Sequence, residues 1–134
     1  MSESTPAAAK YVSLTTFRRT GQPVATPVWI APIGGGGELA VITVDNVGKT
    51  KRLANTARVE LRECDIRGRV EEGATVYAGT ARVVRDPADV ARVRRAITAK
   101  YGLAANLFEI VEPLSRFMPF VTPKPRAGIL IRLD

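Results

Sequence analysis

The sequence predicts a mainly β chain folded as an antiparallel barrel with accessory helices. Five or six short runs of β-branched and apolar residues recur along the chain, short loops rich in glycine and proline separate them, and only two stretches look helical. Strands joined by such short loops pair with their neighbours in antiparallel order. We favour a closed or nearly closed barrel over a sandwich, because closure removes exposed strand edges.

Three strands are predicted before residue 45. Lys10–Phe17 alternates and is rich in β-branched residues, and a turn leads from it to a return strand over Pro23–Ile33. Pro27 cannot donate a ladder hydrogen bond, so this return strand must lie at an edge, carry a bulge or be open on one side. Gly34–Gly37 forms a hairpin tip, and the apolar run Glu38–Val44 indicates a strand covered on both faces.

A short helix and two further strands follow. The segment "VGKTKRLANT" loses the alternation of a strand and predicts a short helix that begins near Gly48. Strands are predicted over Ala57–Ile66 and Thr75–Arg85. Gly79, in the middle of the second of these strands, indicates a bulge or a close approach of another backbone segment.

The clearest helix begins after Asp86. Asp86 is a suitable N-cap, Pro87 suits the first helical position, and Gly102 lies just beyond the end. The apolar residues share one face at spacings of three and four: Val90, Val93, Ile97 and Tyr101. The basic residues point elsewhere and are expected to be solvated: Arg92, Arg95 and Lys100.

The rest of the chain indicates one domain. Residues 103–126 have no clear period, and their aromatic side chains could cap the core, line a pocket or meet a partner. A last strand is predicted over Ala127–Asp134. No repeat or linker interrupts the sequence, so we expect a single domain over residues 1–134, with residues 1–9 as a mobile N-terminal segment.

Composition excludes several classes of function. With 46% hydrophobic and 25% charged residues, the chain has the balance of a globular protein. It shows no secretory signal and no membrane-spanning run, and its single cysteine, Cys64, cannot form an internal disulfide. We therefore expect a cytoplasmic protein without membrane association. The absence of histidine removes the usual catalytic base, the commonest transition-metal ligand and axial ligation of haem by His, and no metal site is predicted.

The net charge of +7 would attract nucleic acid, an anionic membrane surface or an acidic small molecule. Gly48 precedes the short helix and exposes backbone N–H groups, and three cations flank the same end: Lys49, Lys51 and Arg52. This arrangement suits an anion such as phosphate. The alternative is that these cations simply coat a surface helix, and local chemistry leaves both possibilities open.

Several segments in order carry a resemblance to a known family: "YVSLTTFRRTGQPVATPVWIAP", "GKTKRLANTARVELRECDIRGRV", "GTARVV", "AITAKYGL" and "GILIRLD". They resemble the flavin- and deazaflavin-binding split β-barrel family related to pyridoxamine 5′-phosphate oxidase. More narrowly, the chain is similar to the actinobacterial PPOX-class, coenzyme F420-dependent oxidoreductases. The resemblance implies a six-stranded split barrel that forms a homodimer, with two cofactor sites at the interface.

The resemblance also implies a set of cofactor-binding residues. Along the ring of the cofactor it places the second strand: Ala25, Thr26, Pro27, Val28 and Trp29. The third strand contributes around Thr43 and Val44. Gly48 and the cations Lys49, Lys51 and Arg52 fall where the family holds the phosphate and, in the deazaflavin branch, the acidic polyglutamyl tail.

The function implied by the resemblance is transfer of a hydride from reduced F420 to a small planar organic acceptor. No catalytic residue is assigned; a proton donor, if needed, would be bound water or one of the phenols Tyr11, Tyr77 and Tyr101. The surplus of cations favours F420 over FMN, which needs only one phosphate site. The alternatives are an FMN-dependent oxidase or reductase, a cofactor-binding relative without turnover, and a small basic nucleic-acid-binding barrel, which the scattered aromatics disfavour.

Overall fold

Seven β-strands and two α-helices are found in residues 6–44, 48–102 and 126–134, the part of the chain described by a computed structural model. The strands are β1 Val12–Phe17, β2 Pro23–Val28, β3 Ala31–Ile33, β4 Glu38–Val44, β5 Arg58–Glu63, β6 Tyr77–Val84 and β7 Arg126–Leu133. The helices are α1 Gly48–Asn55 and α2 Pro87–Tyr101, and a single 3-10 turn spans Pro6–Ala8. The segment over residues 103–126, which gave no clear pattern in the sequence, lies outside the described residues except for Arg126.

The strands form one antiparallel sheet in the order β2-β1-β5-β6-β7-β4-β3. Strands β2 and β3 stand at opposite ends of this order, yet only Trp29 and Ile30 lie between them in the chain. Three Cα steps span at most about 11 Å, so the two ends of the sheet must come together. The sheet is therefore curled into a barrel that is split between β2 and β3, which confirms the predicted mainly β antiparallel barrel.

The strand count differs from the six strands expected, because the predicted return strand is two strands. Pro23–Ile33 breaks at Trp29 and Ile30, and its halves pair with different neighbours, β2 with β1 and β3 with β4. The break is held by α2. Ile30 is fully buried, and its N–H donates to the Tyr101 hydroxyl at 3.1 Å.

Strand β2 lies at an edge, as Pro27 predicted. The Arg18 N–H donates to the Gln22 carbonyl at 2.9 Å and closes the β1–β2 hairpin. In an antiparallel pair, every second residue of a strand forms hydrogen bonds with the neighbouring strand, so β2 bonds to β1 at every second residue after Gln22. The peptide groups of Pro23, Ala25 and Pro27 face away from β1, where a missing proline N–H breaks no ladder bond.

Two apolar clusters cover the two faces of the sheet. One fills the interior of the barrel and includes Val12, Leu14, Val41, Leu61, Ile129 and Ile131. The other lies beneath α2 and includes Ala31, Ala40, Val93, Ile97 and Leu130. Since Ala40 and Val41 belong to different clusters, β4 is covered on both faces, as its continuous apolar run predicted.

Several glycine and helix predictions are confirmed. A Cβ on Gly79 would lie 2.5 Å from the Arg132 carbonyl oxygen, so this position is a close backbone approach. Gly34 and Gly37 adopt φ values of 66° and 81° at the β3–β4 hairpin tip. Helix α2 begins at Pro87, and the Gly102 N–H donates to the Thr98 carbonyl at 2.7 Å at its end.

The N-terminal residues 6–9 are packed, which differs from the expected mobile segment; residues 1–5 lie outside the described range. Pro6 and Ala9 are buried against the barrel. The ammonium of Lys100 donates to the carbonyl oxygens of Ala7 at 2.8 Å, of Ile30 at 2.6 Å and of Ala9. The prediction that Lys100 is solvated surface was wrong, because this side chain binds the N-terminal segment to the β2–β3 break.

Candidate cofactor-binding site

Three cations converge where the end of β1 meets the start of α1. Helix α1 is anchored by buried Thr50 and Leu53. Lys49 and Arg52 are three residues apart and therefore lie on the same face of the helix. Arg18, which directly follows β1, approaches Arg52 closely enough for its charge to lower the pKa of Arg52.

The electrostatics of these cations are unfavourable in the free protein. Burial, followed by repulsion from Arg52, lowers the pKa of Lys49 below its usual 10.5. Burial and the charge of Arg18 lower the pKa of Arg52 in the same way. Among residues 6–44, 48–102 and 126–134, no carboxylate forms an ion pair with any of the three. A bound anion would offset this repulsion, so the cluster has the character of an anion site.

Two neighbours fix the position of the Arg52 side chain. Its Nε donates to the hydroxyl of Thr16, a fully buried residue of β1. Its guanidinium also lies against Gly48, where a Cβ would come within 2.5 Å of Nη1. The site predicted at the helix start therefore includes two residues that the sequence did not indicate, Thr16 and Arg18. Only the packing of α1 on β1 brings them there.

Lys51 points in a different direction from Lys49. It lies about 200° around the helix from Lys49, at 100° per residue, and its side chain is exposed. Its backbone carbonyl accepts a hydrogen bond from Asn55 Nδ2 at 3.4 Å. The structure thus brings Gly48, Lys49 and Arg52 together, and the assignment of Lys51 to the site remains a prediction.

The predicted ring-binding strand β2 offers backbone more than side chains. Ala25 is exposed, and both its N–H and its C=O point away from β1 toward the open edge. Pro27 is also exposed, whereas Val28 packs against the interior cluster. The Thr26 hydroxyl is buried and has no hydrogen-bond partner in the described structure. Since Thr16 pairs with Val24 across the ladder, the exposed Ala25 edge lies next to the cation site.

The remaining predicted residues are Trp29, in the β2–β3 break, and Thr43 and Val44, at the end of β4. Trp29 follows the end of β2, and its ring stacks on that of Tyr101 with centroids 4.5 Å apart and planes 10° apart. Thr43 is buried near the end of β4, and Val44 pairs with Arg126 of β7. Their assignment to the cofactor site remains a prediction.

Tyr101, one of the three phenols considered as proton donors, has a structural role. Its hydroxyl lies 2.7 Å from the carbonyl oxygen of Lys10, to which it donates, and it accepts the N–H of Ile30. Burial raises the pKa of Tyr101. The phenol is therefore held in its neutral form beside the β2–β3 break.

Neither a membrane-spanning helix nor a cluster of metal ligands is found in the described parts of the chain. None of their helices is long and apolar enough to cross a membrane. They contain no group of three or more Cys, Asp or Glu side chains placed to hold a metal ion.

Comparison with known proteins identifies the family. Residues 3–124 match the family model described as pyridoxamine 5′-phosphate oxidase. The chain belongs to the pyridoxamine 5′-phosphate oxidase family. This confirms the resemblance seen in the sequence. No curated protein matches the sequence.

Solved structures share the fold of this pyridoxamine 5′-phosphate oxidase family member at low sequence identity. The conserved hypothetical protein Rv2991 of Mycobacterium tuberculosis has a TM-score of 0.64 at 22% identity, over 96% of this chain and 75% of that one. A pyridoxamine 5′-phosphate oxidase-related, FMN-binding protein of Nostoc punctiforme has a TM-score of 0.57 at 19% identity, over 93% of this chain and 70% of that one. An F420 reductase has a TM-score of 0.56 at 19% identity, over 100% of this chain and 96% of that one. HutZ, a heme storage protein of Vibrio cholerae, has a TM-score of 0.58 at 16% identity, over 96% of this chain and 83% of that one.

Proposed function

We propose that this chain binds coenzyme F420 and passes a hydride from the reduced deazaflavin to a small planar organic acceptor. The observation that carries the proposal is the cation cluster Arg18, Lys49 and Arg52, which has no carboxylate partner in the described structure and adjoins the open edge of β2. F420 joins a planar ring to a phosphodiester and a chain of glutamates. An anion site beside an exposed strand edge suits both parts of such a molecule.

The roles of the chain in this proposal are binding and orientation. Arg18, Lys49 and Arg52 would hold the acidic end of the cofactor, and the outward-facing peptide N–H and C=O of Ala25 would offer its ring a donor and an acceptor. When bound, the reduced deazaflavin supplies the hydride. The chain itself would orient the acceptor and exclude water, roles that need no histidine and no nucleophile.

The comparisons give this proposal partial support and leave FMN as the second candidate. The F420 reductase is similar over the full length of this chain, whereas the Nostoc protein of the same fold is described as FMN-binding. A single phosphate on FMN would satisfy only part of a three-cation site. The number of cations is what favours F420 over FMN.

Titration of the purified protein into F420, followed by the fluorescence of the cofactor, tests the binding step. We expect saturable binding, and we expect Arg52→Ala to weaken it by about 1.5–3 kcal/mol, the value of a hydrogen bond to a charged group. Arg95→Ala, which removes an exposed cation of α2, is the matched control and should leave the affinity unchanged. Absence of a saturable change at micromolar protein would refute F420 binding, and release of a chromophore with the mass of FMN would select the second candidate.

Turnover needs its own measurement, because a binding protein would give the same titration. Reduced F420, a quinone acceptor and the protein are mixed without oxygen, and the return of the absorbance of the oxidised cofactor is followed. An enzyme accelerates this return in proportion to its concentration. A rate equal to that of the protein-free control would indicate a cofactor-binding protein without this activity.

A homodimer with cofactor sites at its interface is part of the proposal. Three large apolar side chains of the β5–β6 connection are exposed: Ile66, Val70 and Val76. Burial of such side chains against a second copy would remove apolar surface from water. Sedimentation should give twice the mass of the chain, and Ile66→Asp should shift it toward the monomer; a wild-type monomer at tens of micromolar would contradict the dimer.

Nucleic acid and haem have less support as ligands. In the described strands and helices, Trp29 and Tyr101 stack on each other and form no open platform for bases. The chain contains no histidine to ligate haem iron. Nucleic acid that bound with a steep salt dependence and displaced F420 would favour the nucleic-acid-binding alternative.

A further inference from the structure

We propose that Thr16 and Gly48 are positioning residues that set the Arg52 guanidinium for an anion and thereby determine the affinity of this site. The inference rests on the proposed function in one respect: the anion it concerns is the acidic end of the cofactor. Neither residue needs to touch that anion. Both act through the orientation of one side chain.

Thr16 holds the inner side of the guanidinium. It is fully buried in β1, and its hydroxyl accepts the Nε–H of Arg52. An arginine has five N–H donors in a planar fork, so use of Nε here leaves the four donors of the two terminal nitrogens. Those two nitrogens form the end of the fork that binds a phosphate or carboxylate through two parallel hydrogen bonds.

Gly48 provides the space that this orientation needs. A Cβ at this position would lie 2.5 Å from Nη1 of Arg52, closer than atoms can pack, and 3.2 Å from Cζ, a tight contact. Gly48 does not have a positive φ, so its backbone does not itself require glycine. An alanine here would fit the helix backbone and displace only the far end of a flexible side chain.

Substitutions of Thr16 and Gly48 can therefore distinguish an effect on anion binding from an effect on the stability of the fold. Thr16→Val keeps the shape of a buried β-branched residue and removes only the acceptor for Arg52. Gly48 is the first residue of α1, where helix propensity matters less than in the interior, so Gly48→Ala should leave the stability of the folded state nearly unchanged. Both substitutions should nevertheless weaken anion binding, a combination that a purely structural role would not produce.

The test uses inorganic phosphate and F420 as separate probes on the full chain. Phosphate binding is read from the rise in thermal midpoint against sodium chloride of equal ionic strength, and F420 binding from fluorescence. We expect Thr16→Val and Gly48→Ala each to weaken both by roughly three- to tenfold, about 0.7–1.4 kcal/mol. Thr16→Ser, which keeps the hydroxyl, should restore most of the affinity.

A double-mutant cycle shows whether Thr16 acts through Arg52. Arg52→Lys keeps a positive charge but removes the guanidinium, so adding Thr16→Val to it should change the affinity little further. Equal effects of Thr16→Val in the two backgrounds would overturn the inference, as would unchanged affinity in both Thr16→Val and Gly48→Ala.

The two probes separate this inference from the proposed function. If wild type binds phosphate but not F420 and the variants weaken phosphate binding, the inference stands and the F420 proposal fails. If wild type binds F420 and the variants bind it equally well, the F420 proposal stands and the inference fails. A wild-type protein that binds neither probe overturns both.

Discussion

Lys100→Met should destabilise the fold more than any other loss of a single positive charge on α2. In the wild type the ammonium donates to three carbonyl oxygens, from Ala7, Ala9 and Ile30. Hydrogen bonds to a charged group contribute about 1.5–3 kcal/mol each, but these three share one donor group whose desolvation opposes them. Methionine keeps the apolar stem, so we expect a net loss of about 3 kcal/mol, or roughly 10 °C in the thermal midpoint.

Denaturant unfolding and hydrogen exchange measure this loss. Arg95→Met, on the exposed side of the same helix, is the control and should lie within about 0.5 kcal/mol of wild type. The Ala9 N–H, which donates to the Pro6 carbonyl at 3.2 Å, should exchange faster in Lys100→Met because the N-terminal turn is released. Equal stability of the two variants would refute the structural role assigned to Lys100.

Two further predictions concern the sheet and the anion site. Gly79→Ala should destabilise the fold by about 1–3 kcal/mol or prevent folding, because its Cβ would meet the Arg132 carbonyl. Gly36→Ala is the control and should be neutral, because the space around Gly36 is open. Equal unfolding midpoints of the two variants would contradict this prediction. Sulfate binding should weaken as pH rises through the lowered pKa of Lys49, beginning below 10.5, because the free protein loses the proton that the complex needs. The same titration of Lys49→Met should be weaker at neutral pH and flat over this range.

The sequence was most informative at proline and glycine, because the effect of these residues on the local backbone is well defined. Pro87 and Gly102 predicted the limits of α2, because proline suits the first helical turn and glycine is common just past a helix end. Pro27 predicted an edge, a bulge or an open side for its strand, because it has no N–H to donate, and the structure shows the edge. Gly79 predicted a bulge or a close backbone approach, because glycine has no side chain, and the structure shows the close approach. These inferences need no knowledge of the distant parts of the chain.

The break at Trp29 and Ile30 was not predictable, since an apolar run continues through it and only pairing with two different strands divides it. Lys100 was misassigned because its carbonyl partners are about seventy or more residues away in sequence. Arg18 was missed at the candidate site for a related reason. It belongs to a turn in the sequence, and only the packing of α1 on β1 brings it to Arg52.

The stacked pair at the β2–β3 break gives this protein an intrinsic optical probe. Trp29 is the only tryptophan in the chain, and it lies between the open edge of β2 and the C-terminal end of α2, face to face with Tyr101. Its emission depends on its contact with that ring and with water. A change in the spacing of the two rings would therefore alter the fluorescence of the native chain, without a label or a substitution.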